Sequence, residues 1–119
     1  MKALEDRGIY GNTMIIFSSD NGPEKTWSKR IKLHGHVSNR TLRGGKRSIY
    51  EGGHRVPFFV SWPKKINGGQ TFGKPFNQLD IFATLAEVVG DKVKSDEAED
   101  SFSFAFFNDT ATTEMYTAI

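Results

Sequence analysis

Three short stretches of this 119-residue chain place groups that can do chemistry. In Ser18-Ser-Asp-Asn-Gly22, Asp20 and Asn21 offer a carboxylate and an amide carbonyl, the hard oxygen donors that calcium and magnesium take. Those ions require more than two ligands, so the pair is half a site at most. Asp-Asn-Gly is also an ordinary turn, and the tripeptide alone does not separate the two readings. In Leu42-Arg-Gly-Gly-Lys-Arg47 the glycines allow close backbone approach, and Lys46 can deliver a compact positive charge to a sulfate or phosphate oxygen. The spacing and final Ser or Thr of a Walker loop are missing, and a solvated basic turn has the same composition. His34 and His36 lie between these stretches and could touch a substrate or donate a proton near neutrality. In Tyr50-Glu-Gly-Gly-His-Arg-Val-Pro57, Glu51 and Arg55 are placed to pair and hold the preceding loop, a structural role.

Strands and helices must position these groups. Thr13 to Phe17 is a continuous apolar run rich in β-formers, as in a strand buried on both faces of a parallel sheet, and Asp20-Asn21 follows its carboxyl end. Open α/β sheets bind their ligands at that edge. Val56 to Trp62 reads as a second strand, with Pro57 tolerable near its start. Met1 to Gly8 reads as the tail of a helix running into a glycine cap. Pro23 to Tyr50 shows no sustained period of 2 or 3.6 and is expected to be a long functional loop. Asn77 to Val89 is the clearest helix, with Ile81, Phe82, Leu85, Val88 and Val89 on one face, Asn77 as cap and Gly90 closing the end. The order helix, strand, loop, strand, helix implies an α/β layer architecture, but two strands do not make a stable parallel sheet by themselves.

Composition bounds the rest. With 37% hydrophobic and 25% charged residues the chain is not disordered throughout, and its length suits one small core. There is no cysteine, which excludes disulfides and thiolate chemistry. No run approaches the roughly 20 apolar residues of a membrane span. The net charge of +2 hides an asymmetry: eight Lys or Arg stand against Glu24 alone between Gly22 and Arg47, while Asp91 to Asp100 is acidic. A basic loop suits an anionic ligand.

The motifs occur in a telling order: apolar strand, Ser-Asp-Asn-Gly-Pro, basic loop, Leu-Arg-Gly-Gly-Lys, Tyr-Glu-Gly-Gly, Arg-Val-Pro, a strand ending Trp-Pro, then a helix opening Leu-Asp-Ile-Phe-Ala-Thr-Leu. This order strongly resembles the arylsulfatases, from about Met1 to Phe104. The resemblance implies part of an alkaline-phosphatase-like α/β/α sandwich, with a mostly parallel sheet and flanking helices. It also implies hydrolysis of sulfate esters, with calcium and a formylglycine made from Cys or Ser as cofactors. Asp20 and Asn21 would be two of the four calcium ligands and Lys46 would bind the sulfate group. The substrate would be a sulfate ester, with the basic loop and its two histidines leaning toward a sulfated glycan. In bacteria the family is periplasmic or secreted.

The family's nucleophile motif, Cys or Ser followed by x-Pro-x-Arg, is absent, as are the paired aspartates that complete its calcium site. The expectation is therefore a fragment of a catalytic domain, residues 1–104, missing its N-terminal part and inactive alone. Residues 105–119 depart from the family. Asn108-Asp-Thr-Ala-Thr-Thr-Glu114 resembles a translated sequencing-library adapter, a contaminant of reading frames assembled from environmental DNA, and the tail is expected to encode nothing biological. A phosphoesterase or phosphonate hydrolase of the same superfamily is the alternative enzyme. A basic anion-binding module without catalysis is the alternative class, and nucleic acid is not expected as its ligand because Trp27 is the loop's only aromatic before Tyr50.

Overall fold

The computed structural model describes residues 1–73, 75–94 and 96–104; the expected non-family tail, residues 105–119, lies outside the described residues. Helix α1 (Lys2–Asp6) ends at Gly8, whose φ of 67° is the left-handed turn that glycine takes without strain. A short 3-10 turn (Tyr10–Asn12) leads into β1 (Ile15–Ser18). Helices α2 (Trp27–His34) and α3 (Glu51–His54) follow, then β2 (Phe58–Ser61) and α4 (Asp80–Val88). None of the helices among the described residues is long and apolar enough to cross a membrane.

The sheet corrects one expectation. Among the described residues it has two strands, and they are antiparallel: Ile15 pairs with Ser61, Ile16 with Val60, Phe17 with Phe59 and Ser18 with Phe58. An apolar run signals burial, and burial alone does not fix strand direction. The mostly parallel sheet is thus absent from the described residues. Side chains alternate across a strand. One face of the pair therefore carries Ile16, Phe58 and Val60, which pack with Val56, Phe76, Ile81 and Phe104 into the core. Phe58 and Phe76 meet edge to face with centroids 4.6 Å apart. The opposite face carries Phe17 and Phe59, both mostly exposed.

The last helix also differs from expectation. Its apolar residues do not share one buried face: Ile81 joins the core, whereas Leu79, Phe82, Leu85 and Val89 are exposed. A helix apolar on more than one side is built to be covered on more than one side. The helix starts later than expected, with Leu79 and not Asn77 at its cap position and no side-chain cap; just ahead of it Asn77 Oδ1 accepts from the Leu79 N–H and the Asn77 N–H donates to Asp80 Oδ2. The segment 101–104 is tied along α4: Ser101 Oγ donates to Leu79 O, and the Phe102 and Phe104 N–H groups donate to Asp80 Oδ1 and Thr84 Oγ1.

The expected long loop contains α2. Trp27 and Ile31, one turn apart, are the side chains of α2 that turn partly inward, while the other positions are exposed and mostly polar. So narrow a stripe leaves little periodicity to read. Gly35, at φ 64°, caps α2 by donating its N–H to Ile31 O.

Candidate functional site

The turn after β1 is clamped from three elements. Gln78, just before α4, donates through Nε2 to Ser18 Oγ at 2.9 Å and Ser19 O at 2.6 Å. Ser18 Oγ donates to Pro57 O, ahead of β2, at 3.1 Å. The Gly22 N–H donates to Gly53 O, in α3, at 2.8 Å. Within the turn Ser19 Oγ donates to Asn21 O, and Asn21 Nδ2 donates to Gly22 O. That bond commits the nitrogen end of the Asn21 amide and leaves Oδ1 as the end that can serve a cation. Asp20 is exposed beside it.

Glycines join this turn to the Lys46 loop. The Lys46 N–H donates to Pro23 O and the Gly52 N–H to Arg43 O, each at 2.8 Å. A Cβ on Gly45 would lie 2.7 Å from Pro23 O and 3.0 Å from Trp27 Nε1, and one on Gly53 would lie 2.8 Å from Gly45 O. The three motifs noted in the sequence are thus one packed unit, held at a separation only glycine permits. The expected Glu51–Arg55 pair is present, with Nη1 3.2 Å from Oε2. Both side chains are exposed, so its stabilisation is a few tenths of a kcal/mol, about 0.3–0.5. The Arg43 guanidinium stacks on the Tyr50 ring 3.7 Å from its centroid.

Lys46 is half-buried, and its ammonium lies 3.9 Å from Glu24 Oε2; Arg47 Nη1 lies 3.6 Å from Oε1. The Glu24 carboxyl sits below the usual carboxylate range, chiefly because the Lys25 N–H donates to it and then because Arg47, Lys46 and Lys25 surround it with positive charge. Its lowered value means that the interaction is complete above the unfolded carboxylate range and is lost as pH falls through the folded value. These pairs are long and solvated, so Glu24 restrains Lys46 only weakly and leaves its charge for an anion.

Asn39 was visible in the sequence only as part of Asn39-Arg-Thr41, a chance-frequent sequon. The structure makes it the brace of the loop. It is buried, and its Nδ2 donates to Leu42 O at 2.9 Å and Gly44 O at 2.7 Å. An amide nitrogen so committed is closed to glycosylation in the folded chain. Asn39→Ala would leave both carbonyls without that donor and is expected to cost about 1–3 kcal/mol, read as a lowered unfolding midpoint. Gln78 carries no such signal in the sequence; nothing in an isolated Gln says which backbone it will meet.

The histidines do not join the unit. His34 ends α2 and His36 follows Gly35; both are exposed, and no hydrogen bond or ion pair among the described residues ties them to Asp20, Asn21 or Lys46. A cleft of about 780 Å³ has Asn21, Asn39, Arg40 and Arg55 in its wall but neither Asp20, Lys46 nor the histidines. Location by chemistry and location by cavity therefore disagree. The chemistry carries more weight, because a cleft reports only local surface shape.

Calcium fits these residues in kind but not in number. Asp20 and Asn21 supply oxygen, yet no group of three or more His, Cys, Asp or Glu that could hold a metal occurs among the described residues. Formylglycine does not fit at all, since the chain has no Cys and no Ser in the required motif.

Comparison with known proteins bears on the family. The chain is 39% identical over 105 residues to N-acetylgalactosamine-6-O-sulfatase of Bacteroides thetaiotaomicron, covering 85% of this chain and 20% of that protein. It is 35% identical over 101 residues to human steryl-sulfatase, covering 84% and 17%. A solved structure described under the metabolism of multiple glycosaminoglycans by Bacteroides thetaiotaomicron superposes with a TM-score of 0.71 at 32% identity, covering 92% of this chain and 25% of that one. The chain thus spans about a fifth of the length of the curated relatives. The Sulfatase family model matches residues 1–91, which include the turn, the Lys46 loop, both strands and α4, and on these grounds the chain belongs to the sulfatase family.

Proposed function

We propose that this chain supplies one part of a site that hydrolyses sulfate esters, with Asp20 and Asn21 as two oxygen ligands of a calcium ion and Lys46 as the sulfate-binding cation. The observation that carries the reading is the 2.8 Å hydrogen bond from the Lys46 N–H to Pro23 O, which fixes the lysine loop to the turn bearing Asp20 and Asn21. A cation and an ammonium held on one rigid unit can share the oxygens of a tetrahedral anion. Asp20 would contribute the formal charge for the ion, and Asn21 Oδ1 a neutral oxygen. Lys46 would orient the ester and neutralise charge on its sulfate oxygens as the bond to the leaving group lengthens. Calcium, when bound, would add Lewis-acid polarisation of the same oxygens. No attacking group and no general acid is assigned to this chain, because its sequence offers neither in the family's motif.

Two tests follow. The purified chain is expected to release nothing from an aryl sulfate, with or without calcium; turnover by the pure chain would overturn this reading. Residues 1–104 grafted into the Bacteroides N-acetylgalactosamine-6-O-sulfatase in place of the matched segment are expected to restore turnover there. In that graft Asp20→Ala should raise the calcium concentration for half-maximal activity at least about 10-fold, as loss of one charged ligand does. An unchanged calcium titration would remove Asp20 from the site. A sulfated sugar is the substrate class best supported, because the basic stretch from Gly22 to Arg47 suits a polyanion and two of the relatives named above are described by aminosugar or glycosaminoglycan substrates. Hydrolysis of an aryl phosphate in preference to an aryl sulfate by the graft would favour the phosphoesterase alternative instead.

A further inference from the structure

Glu24 is the only acid between Gly22 and Arg47, and its carboxylate lies between two cations. Lys46 Nζ stands 3.9 Å from Oε2 and Arg47 Nη1 3.6 Å from Oε1. Both separations exceed the roughly 2.7–2.9 Å of a charge-assisted hydrogen bond, so neither cation is closed off by its partner. The Arg47 side chain is 62% exposed. The chain's own carboxylate thus marks a place where one anionic group already spans the pair.

The backbone under Arg47 points to a use for its side chain. The Ser48 N–H donates to Gly45 O at 2.9 Å, closing a four-residue turn in which Arg47 is third, at φ 71°. A positive φ there calls for glycine or asparagine and is an outlier for a bulky residue. Nearby Gly44 takes φ 83° without strain. Strain of this kind gathers where a site needs the side chain. Support of the fold is not the need, because the Glu24 contact is long and solvated. Arg40 has a similar backbone, at φ 50°, but lines the cleft that excludes Lys46. Among the described residues Arg47 alone combines a strained turn with a counter-ion shared with Lys46.

We propose that Arg47 is a second anion-binding residue beside Lys46, selecting an acidic sugar with a further sulfate or a carboxylate close to the sulfate ester, and that Glu24 is the internal counter-ion this second group displaces. The proposal rests on the sulfate-binding reading of Lys46. The planar fork of a guanidinium matches the paired oxygens of either group. A sugar with one anionic group takes Lys46 and leaves Glu24 on Arg47. A sugar with two replaces Glu24 on both. Glu24 adjoins Pro23, whose carbonyl anchors the Lys46 loop, so its side chain can turn away while that anchor stays.

The graft is to be assayed on N-acetylgalactosamine 6-sulfate, the sugar of its host enzyme, on the 4,6-disulfate, and on the 6-sulfate linked to glucuronate. At least one of the doubly charged sugars is expected to exceed the first in kcat/KM, and which one does so identifies the second group. Arg47→Gly should lower that preference at least about 10-fold through KM, the effect of losing one hydrogen bond to a charged group. Its melting temperature should hold or rise, because glycine relieves the turn. A residue that merely braced the loop would lower it and slow every substrate alike, which overturns the proposal. Arg40→Gly removes the same charge from the same kind of backbone and should keep the preference. Glu24→Gln should lower KM for the preferred sugar about 2- to 5-fold, the scale of an exposed ion pair. An unchanged preference in Arg47→Gly, or an equal loss in Arg40→Gly, overturns the proposal and leaves the sulfatase reading intact. A KM unchanged or raised by Glu24→Gln overturns the counter-ion clause alone. Should the graft turn over none of these sugars, the full chain decides by nuclear magnetic resonance. The Arg47 Nε–H signal, assigned by its loss in Arg47→Gly, is expected to saturate at a lower concentration of a doubly charged sugar than of the 6-sulfate, and a signal indifferent to the second group overturns the proposal. Saturation that survives Lys46→Ala unchanged overturns instead the Lys46 reading on which the pairing rests.

Discussion

Lys46→Ala in the grafted enzyme is expected to lower kcat/KM for an aryl sulfate by about 10²- to 10³-fold, the usual cost of removing one preorganised charge from the oxygens of a reacting anion. The basis is local. The loop's backbone is tied to Pro23 and braced by Asn39, so the truncated side chain leaves the scaffold in place. Glu24 lies 3.9 Å from the ammonium and competes only weakly for it. Lys46→Arg should recover little, because a planar fork does not reproduce a compact point charge in a space shaped by glycines. Thermal stability should change little in either variant. A loss in activity matched by an equal loss in stability would assign Lys46 to the fold instead. Full activity of Lys46→Ala would remove it from sulfate binding.

The second large effect concerns the seam between the motifs. Gly22→Ala is expected to destabilise the graft by at least about 3 kcal/mol, at the upper end of what overpacking costs. A Cβ at Gly22 would collide with the Gly52 carbonyl oxygen and lie 2.8 Å from its carbon and 3.2 Å from Gly53 Cα, all backbone atoms that no rotamer change can move. Relief would require α3 to withdraw, which breaks the Gly22–Gly53 hydrogen bond and separates the turn from the Lys46 loop. The control is Gly68→Ala. Gly68 has no neighbour within 4 Å of an added Cβ, so a change within about 0.5 kcal/mol is expected. Thermal melting of both graft variants checks the pair. Equal melting temperatures would mean that the close approach at Gly22 is not what holds the site together.

The groups of the candidate site are legible in the chain as written. Asp20-Asn21, Lys46 and the paired Glu51 and Arg55 lie in motifs whose order identifies the family, and the structure finds the pair and joins the motifs. The histidines were read by type alone, and type does not say where a side chain points. They end and follow an exposed helix whose narrow apolar stripe was itself too faint to register. Asn39 and Gln78 went unread for the converse reason. Their work is done on backbone carbonyls and a hydroxyl up to 60 residues away, and no local pattern encodes such a partner.

Residue type, spacing and order are enough to read the family, the strands and α4 to within a few residues, and the oxygen and ammonium groups available at the strand's end. The antiparallel pairing of the strands, the open sheet face and open side of α4, and the union of the turn with the Lys46 loop emerge only in the fold. Those are contacts between segments distant in the chain. They depend on which backbones can approach without a Cβ between them, as Gly22, Gly45, Gly52 and Gly53 allow here.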